Sequence, residues 1–391
     1  MKAFRSISFD VMGLLSYPAA NFLAILAIGH TLTTSAFARY SLVVGAAAML
    51  AIIPGYGIGH LLINPSASSP GLRINLIVAY FLIAALGCTL LSIATPIPIV
   101  LLWAGYLLAI CETLYLLGEA ATKGLRNRKR LVAMRLGSAL GLVCSGGAVL
   151  IADNLYYAWL IAVIVRAVTL GAGGIWTIVL SDLIERGAQN WGVVRSELTN
   201  SLKFSLGIIG SAAFLFADKM VFGYVWNLDL LGRYAFLAMI TLTIGNRLAD
   251  IALSLYFTGE DKSTSGSRFK VDQLLTKILL ATLMFIFLIA VTRISVFFLG
   301  KNVSMTEIAL MSLAGAILFL GNVQWWLNAI NNGQRGAHAA ASYIAFATFA
   351  IFTIVFAPPS IAEGLIILNL ALFGWLIAGL VLDKMYRSSH V

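Results

Sequence analysis

Charge is what this sequence has least of. Asp, Glu, Lys and Arg together make up 11% of its 391 residues, less than half of the about 25% usual in soluble domains. Hydrophobic residues fill the gap at 60%, which excludes a soluble globule of ordinary kind. Alternation over about ten residues, the mark of a membrane-spanning strand, is missing too; the apolar runs are continuous, and that excludes a transmembrane barrel. There is no H-E-x-x-H, no Walker loop and no loop long enough to hold a catalytic domain outside a membrane. ATP hydrolysis by a known motif is therefore excluded, and the chain is not expected to be an enzyme. The four histidines, His30, His60, His338 and His390, are scattered and make acyl transfer a weak reading. Only three cysteines occur, Cys88, Cys111 and Cys144, all within apolar runs and without metal-ligand spacing, so no metal or cofactor is expected.

What is present is a series of apolar runs of about 20 residues, each long enough to cross a bilayer as a helix. Twelve are expected, at 8–30, 36–63, 74–94, 97–120, 131–152, 154–180, 201–225, 231–257, 274–299, 304–329, 337–357 and 361–383. The first lacks a small-residue cleavage site and is read as a permanent helix.

The scarce charges are mostly basic, 26 Lys and Arg against 16 Asp and Glu, and they alternate between loops. One set of loops carries Lys2 and Arg5, Arg73, the run "GLRNRKR" at 124–130, Arg186 and Arg195, Lys262, Arg268 and Lys270, Arg335, and Lys384 and Arg387; the other carries little beyond Arg39, Arg233 and Lys301. The excess of Lys and Arg on cytoplasmic loops places the first set, with both termini, in the cytoplasm. The net charge of +10 then reflects topology and acidic lipid headgroups. Nucleic acid is not expected as a partner.

The halves of the chain resemble one another. "FARY" and "LGRY" align Arg39-Tyr40 with Arg233-Tyr234 at a separation of 194 residues, and Gly124-Leu125-Arg126 aligns with Gly333-Gln334-Arg335 at 209. Two six-helix bundles inserted the same way up, related by a pseudo-two-fold axis along the membrane normal, account for this. The expected organisation is an N-terminal bundle at 1–180, a cytoplasmic amphipathic linker at 181–200 and a C-terminal bundle at 201–391.

Charges inside apolar runs are costly, about 2.5–3.5 kcal/mol each near mid-bilayer on insertion scales, so the few that persist are candidate functional groups. In "AAFLFADKMVFG" (212–223), Asp218 shares a helical line with Gly207, Ser211 and Leu215, while Lys219 lies about 100° further round; the two need not pair. In the eighth run Thr243, Arg247, Asp250 and Ser254 form one face bordered by Asn246, and Arg247 can pair with Asp250 within the helix. Glu112 and Glu119 share a face of the fourth run, Arg166 stands alone mid-run in the sixth, and Arg293, Asn322 and Gln324 complete the set. Each has a structural alternative: local ion pairs for Asp218 and for Arg247–Asp250, interhelical amide bonds for Asn322 and Gln324, headgroup positions for Arg293 and Glu119.

The outer "ARY" and "GRY" turns, the seventh-run "FADKMVFG" and a fourth run closing on Gly-x-Arg resemble the polysaccharide biosynthesis family of membrane exporters, which holds the Wzx-type flippases and shares a superfamily with the multidrug and toxin extrusion transporters. The resemblance implies a flippase that moves an undecaprenyl-diphosphate-linked oligosaccharide across a bacterial cytoplasmic membrane for O-antigen, capsule or exopolysaccharide assembly, beside a polymerase and chain-length machinery. Arg166, Arg247, Lys219, Asn322 and Gln324 would line the substrate cavity. Asp218, Asp250 and Glu112 would take the coupling proton or sodium. A drug/cation antiporter of the same superfamily is the alternative, and a polytopic glycosyltransferase or polymerase, for which the outer loops are short, is the other.

Overall fold

Continuous apolar runs leave the backbone no partner but itself, so each run closes its hydrogen bonds as a helix. The computed structural model of the chain describes residues 2–52, 54–55, 77–86 (79 aside), 89, 99–124, 128–152, 157–180, 208–258 (211 aside), 274–298, 302–331 and 335–389. The described residues are all-α. In chain order the helices are α1 (Lys2–Thr31), α2 (Thr34–Ile52), α3 (Ile99–Gly124), α4 (Arg128–Ile151), α5 (Ala158–Leu180), α6 (Asp218–Val225), α7 (Leu228–Thr258), α8 (Leu274–Phe298), α9 (Met305–Asn331), α10 (Arg335–Phe356) and α11 (Ile361–Ser389). Among the described residues nine helices are long and apolar enough to cross a membrane, or ten when the bent pair Ile208–Phe216 and Asp218–Val225 counts as one span. The 181–200 segment lies outside the described residues, as do most of the second half of the 36–63 run and most of the 74–94 run.

Local sequence sets the helix starts. Thr33 caps α2 by accepting a bond from the Ala36 N–H at 3.3 Å, and Asn227 caps α7 through the Leu230 N–H at 2.9 Å. Two Ser-x-x-Glu boxes open α9 and α11. Ser304 and Glu307 satisfy each other's backbone N–H groups at 2.8 and 3.2 Å, and Ser360 accepts from the Glu363 N–H at 3.3 Å while its hydroxyl reaches the Glu363 carboxylate at 3.0 Å.

Contacts divide the chain into two compact units, Met1–Met220 and Val221–Val391. In the first, α3 packs against α2 and α5, α4 packs against α5, and α1 lies along α4. In the second, α9 packs against α7 and α11, and α10 packs against α11. Three of these packings run in the same order, α2–α3, α3–α5 and α4–α5 in the first unit and α7–α9, α9–α11 and α10–α11 in the second, and the tyrosines of the paired sequence anchors, Tyr40 and Tyr234, are both buried near the starts of α2 and α7. In the second unit Tyr234 joins Phe222, Trp226 and Phe349 in a ring cluster, with Phe222 stacked on Trp226 at 4.1 Å and edge-on to Phe349 at 5.3 Å.

Small residues let the helices approach backbone to backbone, as expected where lipid supplies no hydrophobic drive between them. A Cβ on Gly174 of α5 would lie 2.3 Å from the Leu114 carbonyl carbon of α3, and one on Gly245 of α7 would lie 2.7 Å from the Gly315 carbonyl oxygen of α9. Gly174→Val is therefore expected to destabilise the first unit at the upper end of the about 1–3 kcal/mol typical of overpacking. Gly147→Val in α4, where a Cβ meets nothing within 4 Å, is expected to cost far less. Thermal unfolding of both variants in detergent checks this; equal midpoints would contradict it.

Candidate functional site

Four helices of the first unit bring polar side chains to one place. Arg166 sits midway along the apolar stretch "LIAVIVRAVTL" of α5 and is buried, with 7% exposure. Lipid cannot solvate its guanidinium, and α3 and α1 supply the partners. Its Nε and one terminal nitrogen donate to the same Glu112 oxygen at 3.3 and 3.2 Å, and its other terminal nitrogen donates to the Asn21 side-chain oxygen at 3.1 Å. The buried Tyr40 side chain of α2 lies close enough to feel its charge. The ion pair is net neutral, which is how a charge becomes tolerable in such a place. Thr169 does not belong to it: its hydroxyl turns back to the Val165 carbonyl at 2.8 Å.

A second ion pair lies on the same face of α3. Glu119, seven residues beyond Glu112, bonds Arg135 of α4, and both side chains are largely buried. Glu119 is therefore tied into the bundle, where the sequence suggested a headgroup position.

Asp218 and Lys219 differ from their sequence expectation. They pair directly, with the ammonium 2.9 Å from the carboxylate, and their side chains are 0% and 4% exposed. The sequence reading that they need not pair gives way to its alternative, a local ion pair: the side chains of these neighbours on α6 reach across the angle between them. The chain turns at Ala217, just before the pair, and the helical segments on either side meet at 45°. At that turn the Lys219 ammonium also donates to the Leu215 carbonyl at 2.7 Å, supplying a bond to a helix end whose carbonyls lack their full set of N–H partners. The α2 backbone accommodates the turn at Gly45, where a Cβ would lie 2.6 Å from the Phe216 carbonyl oxygen.

In the second unit Asn322 of α9 donates to Asn246 of α7 at 2.8 Å, and Gln324 accepts from Lys277 of α8 at 2.6 Å. Arg247 and Asp250 fall within α7, but their side chains lie outside the described residues. Arg293 is exposed. On the last helix of the second unit, Asn369 stands eight residues after the helix start, as Arg166 does on α5. Its amide donates to the Leu310 and Leu365 carbonyls at 2.9 and 2.8 Å. An amide thus occupies in one unit the helix position that carries a guanidinium in the other.

Four participants escaped the sequence reading. Asn21 follows Pro18 in an otherwise apolar stretch and was visible as a lone amide there. Tyr40 drew notice only as a repeat marker. Arg135 was hidden behind the basic run at 128–130, and Lys277 sits near a helix start where an interfacial lysine is ordinary.

No protein-family model matches the sequence, and no curated protein matches it. Solved structures do match in fold. The chain superposes on the inward-facing conformation of a multidrug resistance MATE family transporter of the MOP superfamily with a TM-score of 0.60 and 11% identity, over 97% of this chain and 99% of that one. It superposes on the eukaryotic MATE transporter AtDTX14 with a TM-score of 0.51 and 13% identity, over 98% and 96%. The fold resembles that of these MATE transporters. This corrects the expectation of a flippase for undecaprenyl-diphosphate-linked oligosaccharides, with its O-antigen, capsule and polysaccharide-assembly associations: the folds matched across nearly the whole chain are those of MATE transporters.

Proposed function

We propose that the chain is a multidrug antiporter of the MATE type, exchanging small organic molecules for a coupling cation across a bacterial cytoplasmic membrane. The observation that carries this reading is the agreement in fold with multidrug MATE transporters over 97% of the chain. The buried Glu112–Arg166 pair adds to it, because a titratable group kept at this cost inside a helical bundle suits a coupling step. Twelve spans in two six-helix halves, at 1–180 and 201–391 around a cytoplasmic linker at 181–200, with both termini cytoplasmic, are the organisation we assign. Glu112 is the leading coupling residue, with Asp218 and Asp250 as further candidates. Arg166, Arg247, Lys219, Asn322 and Gln324 are the candidates for substrate and positioning roles.

The test is transport by the purified chain in liposomes. A fluorescent organic cation is expected to move against its gradient when a pH or sodium gradient is imposed, and Glu112→Gln is expected to lower that rate at least about tenfold, the loss of about 1.4 kcal/mol of coupling. A panel of organic cations that none of the imposed gradients moves would overturn the antiporter reading.

A further inference from the structure

We propose that the coupling cation at this site is the proton, and that Arg166 is the residue that excludes sodium. The proposal rests on the antiporter reading above and deepens it.

A hard cation binds where several oxygens converge on it. The side-chain oxygens that would anchor such a shell here are engaged by one guanidinium: Glu112 receives two of its N–H groups through one oxygen, and Asn21 receives a third through its amide oxygen. Arg166 cannot lose its charge to make room, because a guanidinium stays protonated at any working pH. A sodium ion at Glu112 would therefore sit as a second discrete cation beside the first, sharing one carboxylate in a buried place where like charges repel strongly. The guanidinium already fills the role of an alkali cation.

A proton escapes this conflict. It needs one lone pair of Glu112, brings no coordination shell, and turns the carboxylate into a neutral acid. Arg166 then keeps its bond to Asn21. Loading requires the pair to separate, so proton uptake is tied to a movement of α5 against α3. Among the described residues the groups around Glu112 come from four helices. Tyr40 comes from α2 and Asn21 from α1; Cys111 and Glu119 are on α3 itself, and Arg135 of α4 is committed to Glu119. The second unit, with Asn369 at the helix position of Arg166, carries no guanidinium there.

Two experiments separate this inference from the reading beneath it. In the first, the purified full chain is unfolded thermally in sodium chloride and in choline chloride at matched ionic strength. The wild type is expected to melt at the same temperature in both. Arg166→Gln, which frees the Glu112 and Asn21 oxygens, is expected to melt higher in sodium, since a ligand that binds only the folded state raises the midpoint, and adding Glu112→Gln is expected to abolish that shift. Sodium-specific stabilisation of the wild type that disappears in Glu112→Gln would overturn the proposal, and that measurement stands whether or not the chain transports anything. In the second, infrared difference spectra recorded across a pH titration are expected to show a protonated carboxyl band in the wild type that is missing in Glu112→Gln. In liposomes a pH gradient without sodium is expected to drive transport, and a sodium gradient at uniform pH is expected to drive none. Transport by the sodium gradient alone refutes the proton assignment. Absence of transport in every gradient refutes the antiporter reading and leaves the sodium-binding result to decide the role of Arg166.

Discussion

Asp218→Ala is expected to destabilise the folded protein by about 3–5 kcal/mol, the usual consequence of stranding one member of a buried ion pair. The partner left behind is Lys219, whose side chain is 4% exposed, with one carbonyl bond to Leu215 at 2.7 Å to offset its charge. Lys219→Met should be costly as well, because it strands Asp218 and removes the bond that closes the turn at Ala217. The double variant Asp218→Asn/Lys219→Met removes both charges at nearly constant volume. It should recover most of the loss, since apolar or neutral replacement of a whole buried pair is often close to neutral. Denaturation midpoints of the three variants in detergent read this out. If the double variant is as unstable as the sum of the singles, the pair contributes no coupling and the charges act through other contacts.

Arg166→Ala should show a loss of similar size, about 3–5 kcal/mol, and for a related reason. It removes three donated bonds at 3.1–3.3 Å and leaves the Glu112 carboxylate buried without its counter-charge. Glu112→Gln alone should cost less, because the amide oxygen still accepts from the guanidinium. Combining Arg166→Ala with Glu112→Gln should give a coupling energy of about 2 kcal/mol in a double-mutant cycle, within the range for residues in direct contact. Arg166→Lys should restore stability only in part: a single ammonium lacks the planar fork that reaches Glu112 and Asn21 together. Additive effects in the cycle would mean that the two residues do not depend on each other, and the network would lose its claim to be one site.

The helical character of the chain was legible because apolar runs of spanning length admit no other described structure, and the starts of α2, α7, α9 and α11 follow from Thr33, Asn227, Ser304 and Ser360 standing ahead of them. Glu112 and Arg166 were legible as candidates because an uncompensated charge inside such a run is too costly to persist. Their pairing was not, since the two residues are far apart in the chain and nothing local decides which helix faces which. The motifs also did not lead to the likeness in fold to MATE transporters, which rests on the arrangement of helices and not on shared residues.

Composition and periodicity by themselves determined a polytopic all-α membrane protein with a few interior charges, because insertion into lipid filters sequences one helix at a time by cost per residue. Tertiary structure alone decided where those charges go. Asp218 and Lys219, neighbours at the start of α6, pair with each other, and the turn at Ala217 leaves the Leu215 carbonyl to the Lys219 ammonium. The small residues of α3 and α5 let those helices close up, and that approach brings Arg166 to Glu112 and leaves Asn21 to complete the bonds. A helix bend and a helix crossing are set by contacts between distant segments, and the one-dimensional pattern of polar and apolar residues holds no record of either.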